Sequence, residues 1–131
     1  MYLLDSDILI HALRGHATVT ERLREHRDAP KALSVLTYGE LLYGARKSQR
    51  PAEHLAKVYR LAELFPLVPV TRAVMDGFAE LKAKLESKGE PLDDFDLIIG
   101  VTALSLNYAV VTNNERHFRR IPGLRVENWT K

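Results

Sequence analysis

The chain has 131 residues, 46% of them hydrophobic, which suffices for one ordinary globular core and indicates a single domain over residues 1–131. The chain has 19 Lys and Arg and 17 Asp and Glu, which give a net charge of +2. So small a net charge identifies no class of partner by itself. The short apolar runs exclude a membrane-spanning helix, the N-terminus lacks the pattern of a secretory signal, and the absence of cysteine excludes disulfides and thiolate metal sites. We therefore expect a cytoplasmic protein without membrane contact.

Two short apolar segments near the N-terminus predict buried strands, each followed at once by a helical pattern. The first strand covers residues 2–4, and the helix ILIHAL after it is expected to take Asp7 as its N-terminal cap. The second strand covers residues 32–36. Thr37 and Glu40 follow with the spacing of a capping box, so the next helix is predicted to start at Thr37.

Helices and strands continue to alternate in the rest of the chain. The predicted elements are a helix from Pro51, a strand over 67–70, a helix capped by Thr71 and stopped by Gly89 and Pro91, a helix from Asp93 or Asp94 to about Asn107, a strand over 109–112, and a last strand in LRVEN. This alternation predicts an α/β domain with a parallel sheet, because each return between parallel strands passes through a helix.

Acidic side chains come at the predicted ends of the strands. Asp5 follows the first strand directly, Glu40 lies in the first turn after the second, and Asn113, Asn114 and Glu115 follow the strand over 109–112. Asp96 lies in the first turn of a later helix, placed to reach the same edge from the side. Because ligands bind outside the carboxyl ends of the strands in such sheets, we expect these carboxylates at one edge. A cluster of this kind repels itself unless some pKa values rise or a cation binds. Oxygen ligands without Cys or paired His favour Mg²⁺ or Mn²⁺ over Zn²⁺.

Simpler roles remain open for several of these residues. Glu40 alone fits an exposed helix surface or its own capping box, and Asp93 and Asp94 are assigned to capping the helix that contains Asp96. The histidines lack the paired spacing of a metal site, and the chain has no nucleophile elbow or glycine-rich phosphate loop. The residues alone therefore favour a metal site built from oxygen ligands.

Four segments together resemble a known family. In chain order they are LLDSDILI, SVLTYGELLYGARKS, GEPLDDFDLIIGVTAL and AVVTNNERHFRRIPGLRVENW, and they resemble the PIN-domain ribonucleases of the VapC toxin type over essentially the whole chain. The resemblance implies a three-layer α/β/α fold with a central, mostly parallel sheet, and an endoribonuclease that requires Mg²⁺ or Mn²⁺ and often acts on tRNA. It also implies a homodimer and a cognate antitoxin, through which alone the protein would contact DNA. The catalytic and metal-binding acids of the family fall on Asp5, Glu40 and Asp96.

The chain departs from the family pattern at two places. Asn114 stands where many relatives have a fourth acid after Thr112, with Glu115 next to it, and these three residues are possible auxiliary residues of the site. Three possibilities remain open for this position. Asn114 acts through a water, Glu115 substitutes for the missing acid, or the site has only three acids. The segment DSD also replaces the commoner Asp-Thr-Asn, and we expect Ser6 to make the hydrogen bond of that Thr.

The expected chemistry is hydrolysis of a phosphodiester bond. One or two divalent ions held by the acids would polarise the scissile phosphate and lower the pKa of a bound water, leaving a 5′-phosphate and a 3′-hydroxyl. Basic residues would position the RNA backbone, since phosphate contacts carry little sequence information. The candidates are Arg46, Lys47, Arg116, Arg119 and Arg120. Alternatively, these residues form a solvated surface or contact the antitoxin.

Two other functions are compatible with parts of the sequence. A strand followed by Asp-x-Asp opens the haloacid-dehalogenase phosphatases, with Asp5 as nucleophile and Asp7 as acid and base, but Ile8 and Leu9 follow here and no suitable Lys precedes the late acidic pair. A covalent aspartyl-phosphate would distinguish that reaction. Alternatively, the chain is a non-catalytic interaction module. Failure to bind Mn²⁺ would favour this alternative.

Overall fold

Five short strands form a central sheet in which every neighbouring pair is parallel. The computed structural model describes residues 1–131 and gives the strand order β3-β2-β1-β4-β5. The strands are β1 Tyr2–Leu4, β2 Lys31–Ser34, β3 Leu67–Val68, β4 Ala109–Val111 and β5 Val126–Glu127. The predicted α/β class with a central parallel sheet is confirmed.

Seven helices connect or follow these strands. They are α1 Ser6–Leu13, α2 Ala17–Glu25, α3 Val35–Lys47, α4 Pro51–Leu64, α5 Arg72–Ser87, α6 Asp94–Leu106 and α7 Glu115–Phe118. The predicted cap of α5 is confirmed, because Thr71 Oγ1 accepts the Val74 N–H. Of the two residues assigned to capping α6, Asp93 is the cap and accepts the Phe95 N–H, whereas Asp94 is the first residue of the helix. Asn107 ends α6 in the left-handed conformation with φ 57°. The sequence did not predict α2 and α7. None of the helices is both long and apolar enough to cross a bilayer.

Alternate residues of the strands pack on opposite faces of the sheet, as the pleat requires. Leu4, Leu33 and Val111 contribute to one apolar cluster, which α1 to α4 cover. Leu3, Ala32 and Val110 contribute to the other cluster, which residues of α6 and α7 complete. The result is three layers, with helices on both faces of a buried sheet.

The start of α3 differs from the prediction. The strand β2 ends at Ser34 rather than residue 36, and the Ser34 hydroxyl oxygen accepts the Leu36 N–H at 3.1 Å. Thr37 is therefore inside the first turn, where its side chain is buried and Oγ1 has no hydrogen-bond partner. The prediction was wrong because Ser34 and Thr37 are both good capping residues, and only the sheet decides which one ends the strand.

The order of the strands brings two strand ends together near the middle of the sheet. In the strand order, β2 and β3 lie on one side of β1, and β4 and β5 lie on the other side. The strand order therefore reverses between β1 and β4, and a crevice at the carboxyl ends of the strands is expected at this switch point. Asp5 lies there, and its N–H donates to the Val111 carbonyl at 2.9 Å.

The position of the α3 cap gives the first prediction. Ser34→Ala should lower the free energy of unfolding by about 1 kcal/mol, the usual cost of losing an N-terminal cap. Thr37→Val should leave that free energy unchanged or raise it, because it replaces an unpartnered hydroxyl with a methyl group. Urea denaturation of both variants measures these changes. The opposite ranking would mean that Thr37 caps α3.

Candidate functional site

Asp5 occupies the carboxyl end of β1 and caps α1. Its side chain is buried, with Oδ1 accepting the Ser6 N–H at 2.9 Å and Oδ2 accepting the Thr112 hydroxyl at 2.9 Å. The assignment of this cap to Asp7 was wrong, since β1 ends at Leu4 and the extended backbone of Asp5 starts the helix at Ser6. Ser6 thus contributes a backbone N–H to the expected acidic residue.

Asp7 lies one residue further into α1 and faces the turn after β4. Its Oδ2 accepts the Asn113 N–H at 3.0 Å and lies 3.4 Å from Thr112 Oγ1. Its other oxygen, Oδ1, is buried without a hydrogen-bond partner. Asp7 therefore links α1 to the end of β4 with only one of its two oxygens.

The Thr112 hydroxyl lies between these two carboxylates. It also accepts the Asn114 N–H at 2.9 Å, and the residue is fully buried. A hydroxyl has only one proton to donate, and the shorter distance assigns it to Asp5 rather than Asp7. The expected auxiliary residue Thr112 thus holds one acid in place and leaves its neighbour less satisfied.

Glu40 and Asp96 approach the same edge from α3 and α6. Both side chains are partly buried, and burial is the largest cause that raises the pKa of each. The charge of Asp96 further raises the pKa of Glu40, and the charge of Asp7 raises both values. Glu40 lies in the second turn of α3, because that helix begins at Val35. The structure thus groups Asp5, Asp7, Glu40 and Asp96, which we call the acidic edge.

Burial and mutual repulsion raise the free energy needed to ionise the carboxyl groups of the acidic edge. Burial, followed by the charge of Asp7, raises the pKa of Asp5 to about 7. Burial also raises the pKa of Asp7, although the Asn113 N–H partly offsets this. A divalent cation would stabilise the ionised forms, and hard carboxylate oxygens are ligands that suit Mg²⁺ or Mn²⁺. No three acidic or histidine side chains converge on one point here, so binding an ion requires side-chain rotations.

The residues after β4 divide between the acidic edge and the C-terminus. The Asn114 amide nitrogen lies 2.7 Å from His117 Nδ1, which is 3.4 Å from Asp96 Oδ2. Glu115 instead bonds to Asn128, Arg119 and Lys131, which together lower its pKa to about 2. Of the two auxiliary candidates, only Asn114 is connected to an acid of the edge.

His117 is a site residue that the sequence reasoning placed on the surface. Its ring contacts Asp96 and acts to lower the pKa of that acid, against the larger effect of burial. The side chain reaches Asp96 because the four residues of α7 turn it back toward α6. A prediction of α7 would have brought His117 onto the same side as Asn114.

The candidate RNA-positioning residues differ in how far they are already engaged. Arg119 pairs with Glu115 at 2.9 Å, Arg120 donates to the Pro91 carbonyl at 3.0 Å, and Lys47 lies over the Tyr43 ring. Arg46 and Arg116 are exposed and make no ion pair or side-chain hydrogen bond. These two are therefore the most available for a phosphate.

A cleft opens beside Glu40 between α1, α3 and α4. Its volume is about 270 Å³, and Glu40 forms part of its wall. A side chain at Gly44 would point into open space within this cleft. The remaining lining is apolar and basic, and includes Ile10, Leu13, Leu41, Val58, Arg14, His54 and Lys57. The acidic edge is thus continuous with a partly apolar surface.

Comparisons with known proteins cover nearly the whole chain. The PIN domain model matches residues 2–124. The tRNA(fMet)-specific endonuclease VapC of Shigella flexneri is 33% identical over 130 residues, which are 98% of each chain. Such a match argues against the phosphatase alternative, because the catalytic Asp-x-Asp of that class belongs to a different family.

Solved structures agree with the sequence comparison. The crystal structure of VapBC2 from Rickettsia felis, bound to a promoter DNA fragment, aligns with a TM-score of 0.90 at 29% identity and covers 98% of both chains. DNA-bound VapBC from Salmonella typhimurium aligns with a TM-score of 0.88 at 31% identity, covering 98% of this chain and 97% of that one. The chain therefore belongs to the PIN domain family, within its VapC group.

Proposed function

We propose that the protein is a Mg²⁺- or Mn²⁺-dependent endoribonuclease that acts as the toxin of a toxin–antitoxin pair. The observation that carries this proposal is the acidic edge, with Asp5 buried and the other three acids partly buried, at the point of the sheet where ligands bind, in a chain similar over nearly its whole length to VapC ribonucleases. The substrate we propose is tRNA or another structured RNA, because the Shigella flexneri relative is named a tRNA(fMet)-specific endonuclease.

The proposed metal ligands are Asp5, Glu40 and Asp96. When bound, the ion supplies a Lewis acid for the scissile phosphate and lowers the pKa of water. The protein fixes the acids that would receive it: Thr112 and the Ser6 N–H hold the two oxygens of Asp5, and His117 lies against Asp96. Attack by water leaves a 5′-phosphate and a 3′-hydroxyl and needs no ribose 2′-hydroxyl. Selection of RNA would then depend on its shape and groove contacts.

The proposed partner is a cognate antitoxin. The similar structures from Rickettsia felis and Salmonella typhimurium are VapBC complexes bound to DNA. We propose that this chain likewise contacts DNA only through its antitoxin, and that it meets both antitoxin and RNA in the cytoplasm.

A homodimer is also part of the proposal. The sequence indicates a surplus of apolar positions on the hairpin of α3 and α4, but Leu41 and Val58 are buried in the core of the chain itself. The most exposed apolar side chains of the two helices are Tyr43, Tyr59 and Leu64, which are 65%, 46% and 62% exposed. Association of two copies would remove such side chains from water.

Removal of one acid should abolish RNA cleavage without unfolding the protein. We expect Asp5→Asn and Asp96→Asn each to lower the initial rate on a total tRNA pool with Mg²⁺ by at least about 100-fold, since even the loss of an outer-shell partner costs 10- to 100-fold. Asp94→Asn is the matched control, because that exposed carboxylate pairs with Lys82 and lies outside the acidic edge. Cleavage by both site variants at the wild-type rate would contradict the site assignment.

The metal-free protein should become less stable as the pH rises through the range where Asp5 ionises. The folded-state pKa of Asp5 is about 7 against an ordinary value of 3.8, so the folded chain binds this proton more strongly and the free energy of unfolding falls between about pH 4 and pH 7. Asp5→Asn keeps a capping oxygen and removes the charge.

This variant should exceed the wild type in free energy of unfolding at pH 8 in EDTA, by an amount on the order of a few kcal/mol. The difference should disappear near pH 4. Urea denaturation at the two pH values measures it, and an Asp5→Asn variant that is less stable at pH 8 would make Asp5 a structural group.

The free arginines should affect RNA binding rather than the cleavage step. Arg46→Ala and Arg116→Ala should each weaken RNA binding and reduce the slope of log affinity against log salt by about one counterion. Arg120→Ala is the comparison, because its guanidinium is already bonded to the Pro91 carbonyl. An unchanged salt slope together with lost antitoxin affinity would assign these arginines to the antitoxin interface.

A further inference from the structure

Asp7 is the member of the acidic edge that the proposed ligand set does not use. It packs on α1 directly beside Asp5, with the Thr112 hydroxyl between the two carboxylates. Its charge contributes to raising the pKa of Asp5, Glu40 and Asp96 alike. Asp7 therefore belongs electrostatically to the same cluster as the three acids of the proposed ligand set.

The two oxygens of Asp7 have different surroundings. Oδ2 accepts the Asn113 N–H at 3.0 Å, which fixes the carboxylate against the turn after β4. Oδ1 is buried and unpartnered, and the only other buried side-chain atom without a partner is Thr37 Oγ1, one turn before Glu40 on α3. A buried carboxylate oxygen without a hydrogen bond costs free energy that a bound cation would offset.

The segment after β4 supplies no free carboxylate of its own to the acidic edge. Asn114 is neutral and its amide contacts His117, while Glu115 is bonded to three groups near the C-terminus and is engaged there. Asp7, bonded to the Asn113 N–H, therefore adds a second carboxylate beside Asp5 at this end of the crevice, from α1 rather than from the segment after β4.

We propose that Asp7 is a fourth carboxylate of the divalent-cation site, with Oδ1 as the ligand atom and Oδ2 as the anchor to Asn113. This inference rests on the proposed function, because it adds a residue to the same site. The competing role for Asp7 is purely structural, as a link between α1 and the turn after β4. The two roles separate in one substitution, since Asp7→Asn keeps an oxygen that accepts the Asn113 N–H and removes the charge.

The test is Mn²⁺ binding measured by isothermal titration calorimetry on the full chain. Asp7→Asn should weaken the affinity for Mn²⁺ by at least about tenfold. The matched control is Asp93→Asn, because Asp93 is an exposed carboxylate whose charge also reaches Glu40 and Asp96, and Asn caps α6 equally well. The control measures the loss of one nearby charge without the loss of a ligand, and it should weaken Mn²⁺ binding less than Asp7→Asn does.

Equal effects of the two substitutions would overturn the proposal, because Asp7 would then act only through its charge. Unchanged Mn²⁺ affinity in Asp7→Asn would also overturn the proposal. The role of Asp7 would then be its hydrogen bond to the Asn113 N–H. Wild-type protein that binds no Mn²⁺ would overturn both this inference and the metal dependence in the proposed function. Loss of affinity in Asp7→Asn that Asp93→Asn does not share would support the inference.

A measurement on the wild type keeps the proposal falsifiable if Asp7→Asn fails to fold. Substoichiometric Mn²⁺ should broaden the side-chain ¹³C carboxyl resonance of Asp7 as strongly as that of Asp5, and more strongly than that of Asp93. Broadening of the Asp5 resonance with an unaffected Asp7 resonance would contradict a ligand role for Asp7. The thermal midpoint of Asp7→Asn in EDTA should equal or exceed that of the wild type, whereas a clear fall would support the structural role.

Discussion

The hydrogen bond from the Thr112 hydroxyl to Asp5 connects the two strand ends around which the site is built. It joins the residue after β1 to the residue after β4, and it fixes an acid that is buried at the start of α1. The same hydroxyl accepts from Asn114 and so shapes the turn that bonds to Asp7. Because one proton cannot serve two carboxylates, the arrangement leaves negative charge only partly stabilised by the protein. We expect that deficit to lower the stability of the metal-free chain and to be the physical source of the proposed affinity for a divalent cation.

The layered architecture followed from local signals in the sequence, whereas several element boundaries did not. Alternating strands and helices predict a parallel sheet, and the cap of α5 at Thr71 is unambiguous because a single good capping residue precedes that helix. At α6 the sequence offered both Asp93 and Asp94, and the structure selects Asp93. The start of α3 was ambiguous, since Ser34 can cap as well as Thr37 and the apolar residues between them resemble strand. The helix α2 was missed because its sequence ATVTERLRE has β-branched residues early and His16 as its cap.

The candidate site was predictable where position along a strand determines it. Asp5 lies at the end of β1 by topology alone, and Glu40 follows from the rule that polar residues after strand ends converge. Contacts between segments distant in sequence were not predictable from spacing. Glu115 is engaged by Asn128 and Lys131 from the C-terminus, and His117 reaches Asp96 only because α7 folds back. Asp7 was assigned to a cap because nothing local shows that the end of β4 provides its hydrogen-bond donor.

The central claim is that the acidic edge hydrolyses RNA with a divalent metal, and mapping of the cleaved ends tests it most directly. A total tRNA pool would be incubated with the full chain in Mg²⁺ and, separately, in EDTA, and the termini of the products determined. We expect cleavage only with Mg²⁺, with 5′-phosphate and 3′-hydroxyl ends on the products, because water is the nucleophile in the proposed reaction. Cleavage that persists in EDTA, or products ending in a 2′,3′-cyclic phosphate, would contradict it, because the ribose hydroxyl would then be the nucleophile or the metal would be unnecessary.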